Sequence, residues 1–121
     1  MSATAIAYVD DLMFLSRIRE AARPLALEIQ TARSASQLLE ACRAGSPKLV
    51  LADLDSARLG SVEAVRALRA EPQTASVPVI GFVSHVNGAR VAEARAAGCT
   101  KVLARGAFVQ ELPRLLESAA S

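Results

Sequence analysis

The sequence predicts an α/β domain, a doubly wound sheet of five parallel strands with five helices packed on its two faces. Three observations point to it. Short apolar runs alternate with helix-length amphipathic segments along the whole chain. Most of those runs lack the in-out alternation of a half-exposed sheet, which marks strands buried on both faces. The strand-helix unit recurs five times, a pattern met by right-handed crossovers in a parallel sheet.

Taken in order, Ala5–Val9 is the first strand, and a helix over about Leu12 to Arg23 follows it and stops near Pro24. Leu27–Ala32 is the second strand. Ser34-x-x-Gln37 reads as a capping box; its helix turns Leu38, Leu39 and Cys42 inward and stops at Gly45, where a left-handed residue fits. Leu49–Asp53 is the third strand, apolar until its last residue. Val62, Val65 and Leu68 form one stripe of a helix from Val62 to Arg69, which ends before Pro72. Val79–Val83 is the fourth strand, Asn87 caps the helix after it, and that helix closes at Gly98. Lys101–Arg105 is the fifth strand. Phe108, Leu112, Leu115, Leu116 and Ala119 then make the apolar face of a last helix, with Pro113 in about its first turn, where a missing N–H costs least.

Composition bounds the function. A chain of 121 residues, 52% hydrophobic and 21% charged, has the size and core of a single domain, residues 1–121. The net charge of +2 comes from 14 basic and 12 acidic residues with no basic run, and aromatic residues are 3%, so nucleic-acid binding has no support. The absence of a charged-then-apolar leader and of an apolar stretch of about 18 residues gives the expectation of a cytoplasmic protein without membrane insertion. Cys42 and Cys99 stand far apart and outside metal-ligand spacing, as buried free thiols do.

The chemistry lies in the aspartates. There are only four, Asp10 and Asp11 after the first strand and Asp53 and Asp55 at the end of the third. In the flavodoxin-like strand order 2-1-3-4-5 those strands are neighbours at the switch point, so both pairs converge on the rim where such folds bind ligands. Crowded carboxylates raise one another's pKa unless a cation joins them, either a hard ion such as Mg²⁺ or a nearby Arg or Lys. Singly, Asp11 reads as a helix cap and Asp55 as a turn residue; the four together read as a site. The turn Val9-Asp10-Asp11-Leu12 has no glycine to let backbone N–H groups approach a pyrophosphate, and its charge has the wrong sign.

Tyr8-Val9-Asp10-Asp11, Leu49-Val50-Leu51-Ala52-Asp53, Val77-Pro78-Val79-Ile80 and Ala97-Gly98-Cys99 together resemble the response-regulator receiver family over nearly the whole chain. The resemblance implies Mg²⁺ held by Asp10, Asp11, Asp53 and the backbone carbonyl of Asp55. It also implies Asp53 as phosphoacceptor, attacking a phosphohistidine or a small phosphodonor. Other positions depart from the family. Val83 stands where a Thr or Ser hydroxyl bonds the phosphoryl group, and bringing Ser84 there needs a bulge or a shifted strand end. Val102 replaces the switch aromatic, Arg105 the lysine, a non-conservative exchange, and Gly106 the proline after it.

The acidic pocket is thus kept while the residues that read and transmit phosphorylation are altered. This pattern favours a degenerate receiver that acts through protein-protein interaction and requires no cofactor. Any catalysis would be at most self-catalysed phosphoryl transfer onto Asp53. Arg105 is expected to reach back to Asp53, Asp10 or Asp11 and neutralise the pocket. The alternative is a functional single-domain response regulator phosphorylated on Asp53 with Mg²⁺ in a two-component phosphorelay, favoured by the acid pocket and opposed by Val83 and Arg105. The expected partner is a histidine kinase or a downstream signalling protein. It would dock on the fourth and fifth helices and the fifth strand through Val91, Ala94, Arg95, Val102, Ala104, Val109 and Leu112, a face that would also serve a homodimer. With no output domain after Ser121, action by docking or within a larger assembly is expected. A small-molecule module of the same fold has no supporting feature: His85 reads as a loop residue, Tyr8 and Phe14 as core, and Phe82 as either core or rim.

Overall fold

A computed structural model describes residues 3–84 and 88–121. Its elements alternate as β1 (Thr4–Tyr8), α1 (Leu12–Ala22), β2 (Glu28–Thr31), α2 (Ala35–Gly45), β3 (Leu49–Asp53), α3 (Ser61–Ala70), β4 (Val79–Val83), α4 (Gly88–Ala97), β5 (Lys101–Ala104) and α5 (Arg105–Ala120). The five strands form one sheet in the order β2-β1-β3-β4-β5, every neighbouring pair parallel. The flavodoxin-like arrangement expected from the sequence is the one formed.

Alternation along each strand sends side chains to two layers. Ile6, Tyr8, Val50, Ala52, Val79 and Val83 pack with Leu38 and Cys42 of α2, Val65 and Leu68 of α3, and Val91 and Ala94 of α4. Ala5, Ala7, Leu49, Leu51, Ile80 and Phe82 pack instead with Phe14 and Ile18 of α1 and Phe108, Leu112 and Leu116 of α5. Because β3 is buried along its whole length, Asp53 is carried to the sheet's end beneath α1 and α5 by the same period that buries Leu49 and Leu51. Cys42 and Cys99 are free and buried, and burial pushes both thiols up to about 11. Among the described residues no helix is long and apolar enough to cross a membrane.

The helix ends follow local chemistry, with corrections. Ser34 caps α2 as expected, its Oγ accepting from the Gln37 N–H at 3.1 Å, while Gln37 Oε1 reaches one residue past the cap and accepts from the Arg33 N–H at 2.8 Å. The left-handed residue that ends α2 is Ser46 (φ 44°) rather than Gly45, which remains the last helical residue. Pro24 ends α1 through a short 3-10 turn, Arg23–Leu25. The cap expected at Asn87 lies outside the described residues, as does His85. The largest correction concerns the C-terminal end: β5 stops at Ala104 and α5 begins at Arg105. Arg105 is therefore the first residue of a helix, and Pro113 lies in the helix interior rather than near its first turn. Its ring removes the N–H that would have bonded to the carbonyl four residues before it.

Candidate functional site

Two short segments supply the acidic rim. After β1 the chain turns at Asp10 and Asp11, and Asp11 caps α1, its Oδ1 accepting from the N–H groups of Met13 at 2.9 Å and Phe14 at 3.2 Å. At the end of β3, Asp53 is 3% exposed and its Oδ1 accepts from the Asp55 N–H at 2.9 Å, a side-chain turn that starts the β3–α3 loop. The Asp53 carbonyl accepts from Ser61 Oγ at 2.5 Å, and Tyr8 Oη donates to the Leu59 carbonyl, so the loop is fixed at both ends. Asp10, Asp11, Asp53 and Asp55 line one open cleft with Ser56, Ala57 and Arg58.

Two guanidinium groups reach the carboxylates of this cleft, Arg58 from its own lining and Arg105 from a neighbouring hollow between α1 and α5. Arg105, on the first turn of α5, lies with Nη1 3.8 Å from Asp11 Oδ2, Nη2 3.9 Å from Asp53 Oδ2 and Nε 3.5 Å from Asp55 Oδ2. These are charge contacts; its buried Nε makes no hydrogen bond. The guanidinium carbon stands 4.7 Å from the centre of the Phe14 ring, close enough for cation-π attraction. Below it the chain's three phenylalanines stack, Phe82 4.4 Å from Phe108 and 4.7 Å from Phe14. Phe82 is thus core, as Tyr8 and Phe14 are.

Arg105 reaches Asp11 and Asp53 but not Asp10, which belongs to Arg58. Arg58 Nη2 donates to Asp10 Oδ1 at 2.5 Å and its Nε lies 3.2 Å from both carboxylate oxygens, while Ser56 Oγ donates to Oδ2 at 3.1 Å. Arg58 Nη1 also donates to the Arg33 carbonyl at 3.3 Å, tying the loop to the end of β2. These bonds hold the Asp10 carboxyl below its ordinary range. Burial does the opposite at Asp53, pushing it up, and the Asp55 N–H and Arg105 pull it only partly back. Sequence reasoning did not name Arg58 or Ser56; the available signal was that crowded carboxylates need a cation and that this loop carries one at the same rim.

The altered positions fall as follows. Val83, 3% exposed and in register with Ala104, packs in the layer of α3 and α4 with Val91 and Ala94. The registers of β4 with β3 and β5 run unbroken, so Ser84 does not slip into its place. Ser84 nevertheless joins the rim one residue past the strand: its N–H and Oγ both donate to Asp55 Oδ2, at 2.8 and 2.5 Å. Val102 is half-buried against the α3 and α4 layer. Of the expected docking face, Val91, Ala94 and Leu112 are core and Val109 turns to the groove between α1 and α5, beside Arg17, which leaves Arg95, Val102 and Ala104.

The oxygen donors are of the type a hard divalent ion takes, but their arrangement does not fit one. Arg58 occupies both oxygens of Asp10, the α1 cap occupies one of Asp11, and Arg105 stands among the other three carboxylates. Among the described residues no three His, Cys, Asp or Glu are grouped to hold a metal ion.

No protein-family model and no curated protein matches the sequence. Solved structures match its fold, and those neighbours are response-regulator receiver domains. The receiver domain of a sensor histidine kinase from Pseudomonas aeruginosa, with a magnesium ion coordinated in its active-site cleft, has a TM-score of 0.83 at 19% identity, covering 99% of this chain and 98% of that one. A putative response regulator from Chloroflexus aurantiacus gives 0.84 at 18% identity, with the same coverage. A chemotaxis response regulator from Vibrio cholerae gives 0.82 at 18% identity over 98% of this chain and 99% of its own. At this identity the likeness establishes the receiver fold.

Proposed function

We propose that the chain is a receiver-like module of two-component signalling that works by protein-protein interaction, its phosphorylation site neutralised from within. The observation that carries this reading is the Arg105 guanidinium, 3.5 to 3.9 Å from carboxylate oxygens of Asp11, Asp53 and Asp55. A phosphodonor and its metal would have to displace a cation that the fold itself holds over the Phe14 ring. Val83 in the core adds to this, since it offers no hydroxyl to a phosphoryl group. The partner is a histidine kinase or a downstream signalling protein, met on the α4-β5-α5 face around exposed Arg95 and half-buried Val102 and Ala104. The same surface would serve a homodimer.

A second reading rests on Asp53 itself, which ends β3 in an open cleft with Asp10 and Asp11. On that reading Asp53 is phosphorylated with Mg²⁺. Incubation with Mg²⁺ and acetyl phosphate followed by intact mass measurement separates the two. The wild-type mass stays unchanged under the first reading; a gain of one phosphoryl group that Asp53→Asn abolishes establishes the second.

A further inference from the structure

Helix α4 is lightly anchored by burial. Its buried residues are Val91, Ala94 and Ala97, none larger than valine, whereas each of the other four helices buries a leucine, isoleucine or phenylalanine. So little apolar surface holds a helix weakly, and polar contacts at its two ends decide how firmly it sits. Both ends are tied by an arginine to a carbonyl. At the C-terminal end Arg69 of α3 donates from Nε to the Gly98 carbonyl at 3.0 Å, and from Nη1 to the carbonyls of Ala75 and Val77 at 3.0 and 2.7 Å. Gly98 has φ 117°, and a Cβ there would stand 2.6 Å from Arg69 Cγ, so this end is tightly closed. At the N-terminal end Arg90 reaches out of α4, and its Nη1 donates to the Leu54 carbonyl. That acceptor is itself fixed to the sheet. The Leu54 N–H donates to the Phe82 carbonyl at 2.9 Å, and its side chain fills the space a Cβ on Gly81 would take.

We infer that Arg90 is a latch, a positioning residue that holds the first turns of α4 down on the β3–α3 loop while Arg69 makes the other end a fixed hinge. Leu54 stands between Asp53 and Asp55, so this one bond runs from the acidic rim to the helix that carries exposed Arg95. With the latch made, the α4 edge of the docking face has a single position, set by the loop. With it broken, the first turns lift and the last turn stays, because Arg69 and the Gly98 and Cys99 N–H groups, both returning to the Ala94 carbonyl, still hold that end. The bearing on docking rests on the reading of the α4-β5-α5 face as the place where a partner meets the chain, whereas the latch itself is a property of the isolated chain.

The test uses full chain labelled with ¹⁵N and ¹³C. In Arg90→Ala the Ala92 and Glu93 amides, which bond back into the first turn of α4, exchange with solvent about fivefold faster than in wild type, the effect of one net hydrogen bond. The Cys99 amide at the hinge and the Leu51 amide in β3 keep their wild-type exchange. Alanine forms helix at least as well as arginine, so intrinsic propensity does not account for the change. The Leu54 carbonyl ¹³C resonance moves at the same time because it has lost its donor, a response that a role confined to α4 does not produce. Arg95→Ala, the same substitution at an exposed position of the same helix, changes neither readout. Unchanged Ala92 and Glu93 exchange in Arg90→Ala, an equal acceleration at Cys99 and Leu51, or an unmoved Leu54 carbonyl overturns the latch. Phosphorylation of wild-type Asp53 overturns the underlying reading and is seen by mass, independently of the exchange and carbonyl measurements.

Discussion

Asp53 is an acid in the wrong surroundings for its charge. It is 3% exposed, and one backbone N–H and a guanidinium 3.9 Å away only partly replace the water it has lost, so burial leaves its carboxyl above the ordinary value of 3.8. The native state therefore holds the Asp53 proton to higher pH than the unfolded chain does. Between the ordinary and the raised value the folded form binds more protons, and stability falls as pH rises through that window. Above it the penalty is complete; below the ordinary carboxylate range it is absent. Asp53→Asn keeps an acceptor for the Asp55 N–H and carries no charge. The variant is expected to melt at a higher temperature than wild type at pH 7, with the gap closing as the pH falls below the ordinary carboxylate range. Melting curves at several pH values check this, and a variant that melts below wild type at neutral pH would show that Arg105 fully compensates the buried charge.

At the scale of elements, β4 is where packing sets the site. Gly81 lies opposite Ala52 in β3 and Val102 in β5, and a Cβ at Gly81 would come 2.8 Å from Leu54 Cδ1 and 3.1 Å from its Cγ. Leu54 is 2% exposed and stands between Asp53 and Asp55, so it has little room to retreat. Gly81→Ala is expected to cost about 1–3 kcal/mol by overpacking. Leu54→Val returns part of the space, so the double variant is expected to lose about 1 kcal/mol less than the two single losses summed, read from urea unfolding. Strict additivity would mean that Leu54 moves aside freely. The elements themselves were legible because apolar runs and caps are local signals: the boundaries of β3 and β4 and the Ser34 cap stand where the sequence put them. The C-terminal strand and helix were not separable in the same way. Lys101–Arg105 continues as a strand by pattern, and only the position of Ala104 as the last paired residue makes Arg105 the first residue of α5. That one boundary decides where the cation of the site is mounted.

Across the whole molecule, four aspartates from the ends of β1 and β3 face two arginines, Arg58 on the β3–α3 loop and Arg105 on the first turn of α5, and this arrangement defines what the rim accepts. The aspartates were legible together, because strand order and strand ends fix their place. Arg58 was not, since its partner Asp10 lies 48 residues away and the loop that carries it has no periodicity to read. The two cations block separate halves of the cleft, Arg58 at Asp10 and Arg105 at Asp11, Asp53 and Asp55. A ligand that binds only the native state raises the melting temperature by mass action, so Mg²⁺ reports directly on whether the halves are open. Wild type is expected to melt at the same temperature with about 10 mM Mg²⁺ as with Na⁺ at equal ionic strength. Arg58→Ala frees Asp10 but leaves Arg105 among the other three carboxylates, and Arg105→Ala does the converse, so each single variant gains little. In Arg58→Ala/Arg105→Ala all four acids lose their arginine counter-charges while keeping their hydrogen bonds to Ser56, Ser84 and the backbone, and an ion held with a Kd of about 1 mM adds about 1.4 kcal/mol, or about 5 °C. The double variant starts from a lower melting point without Mg²⁺, because its carboxylates have lost their counter-charges, and the gain is measured from that lower point. A wild-type shift as large as that of the double variant would show that the arginines yield to the ion, and the module would then be a metal-binding receiver.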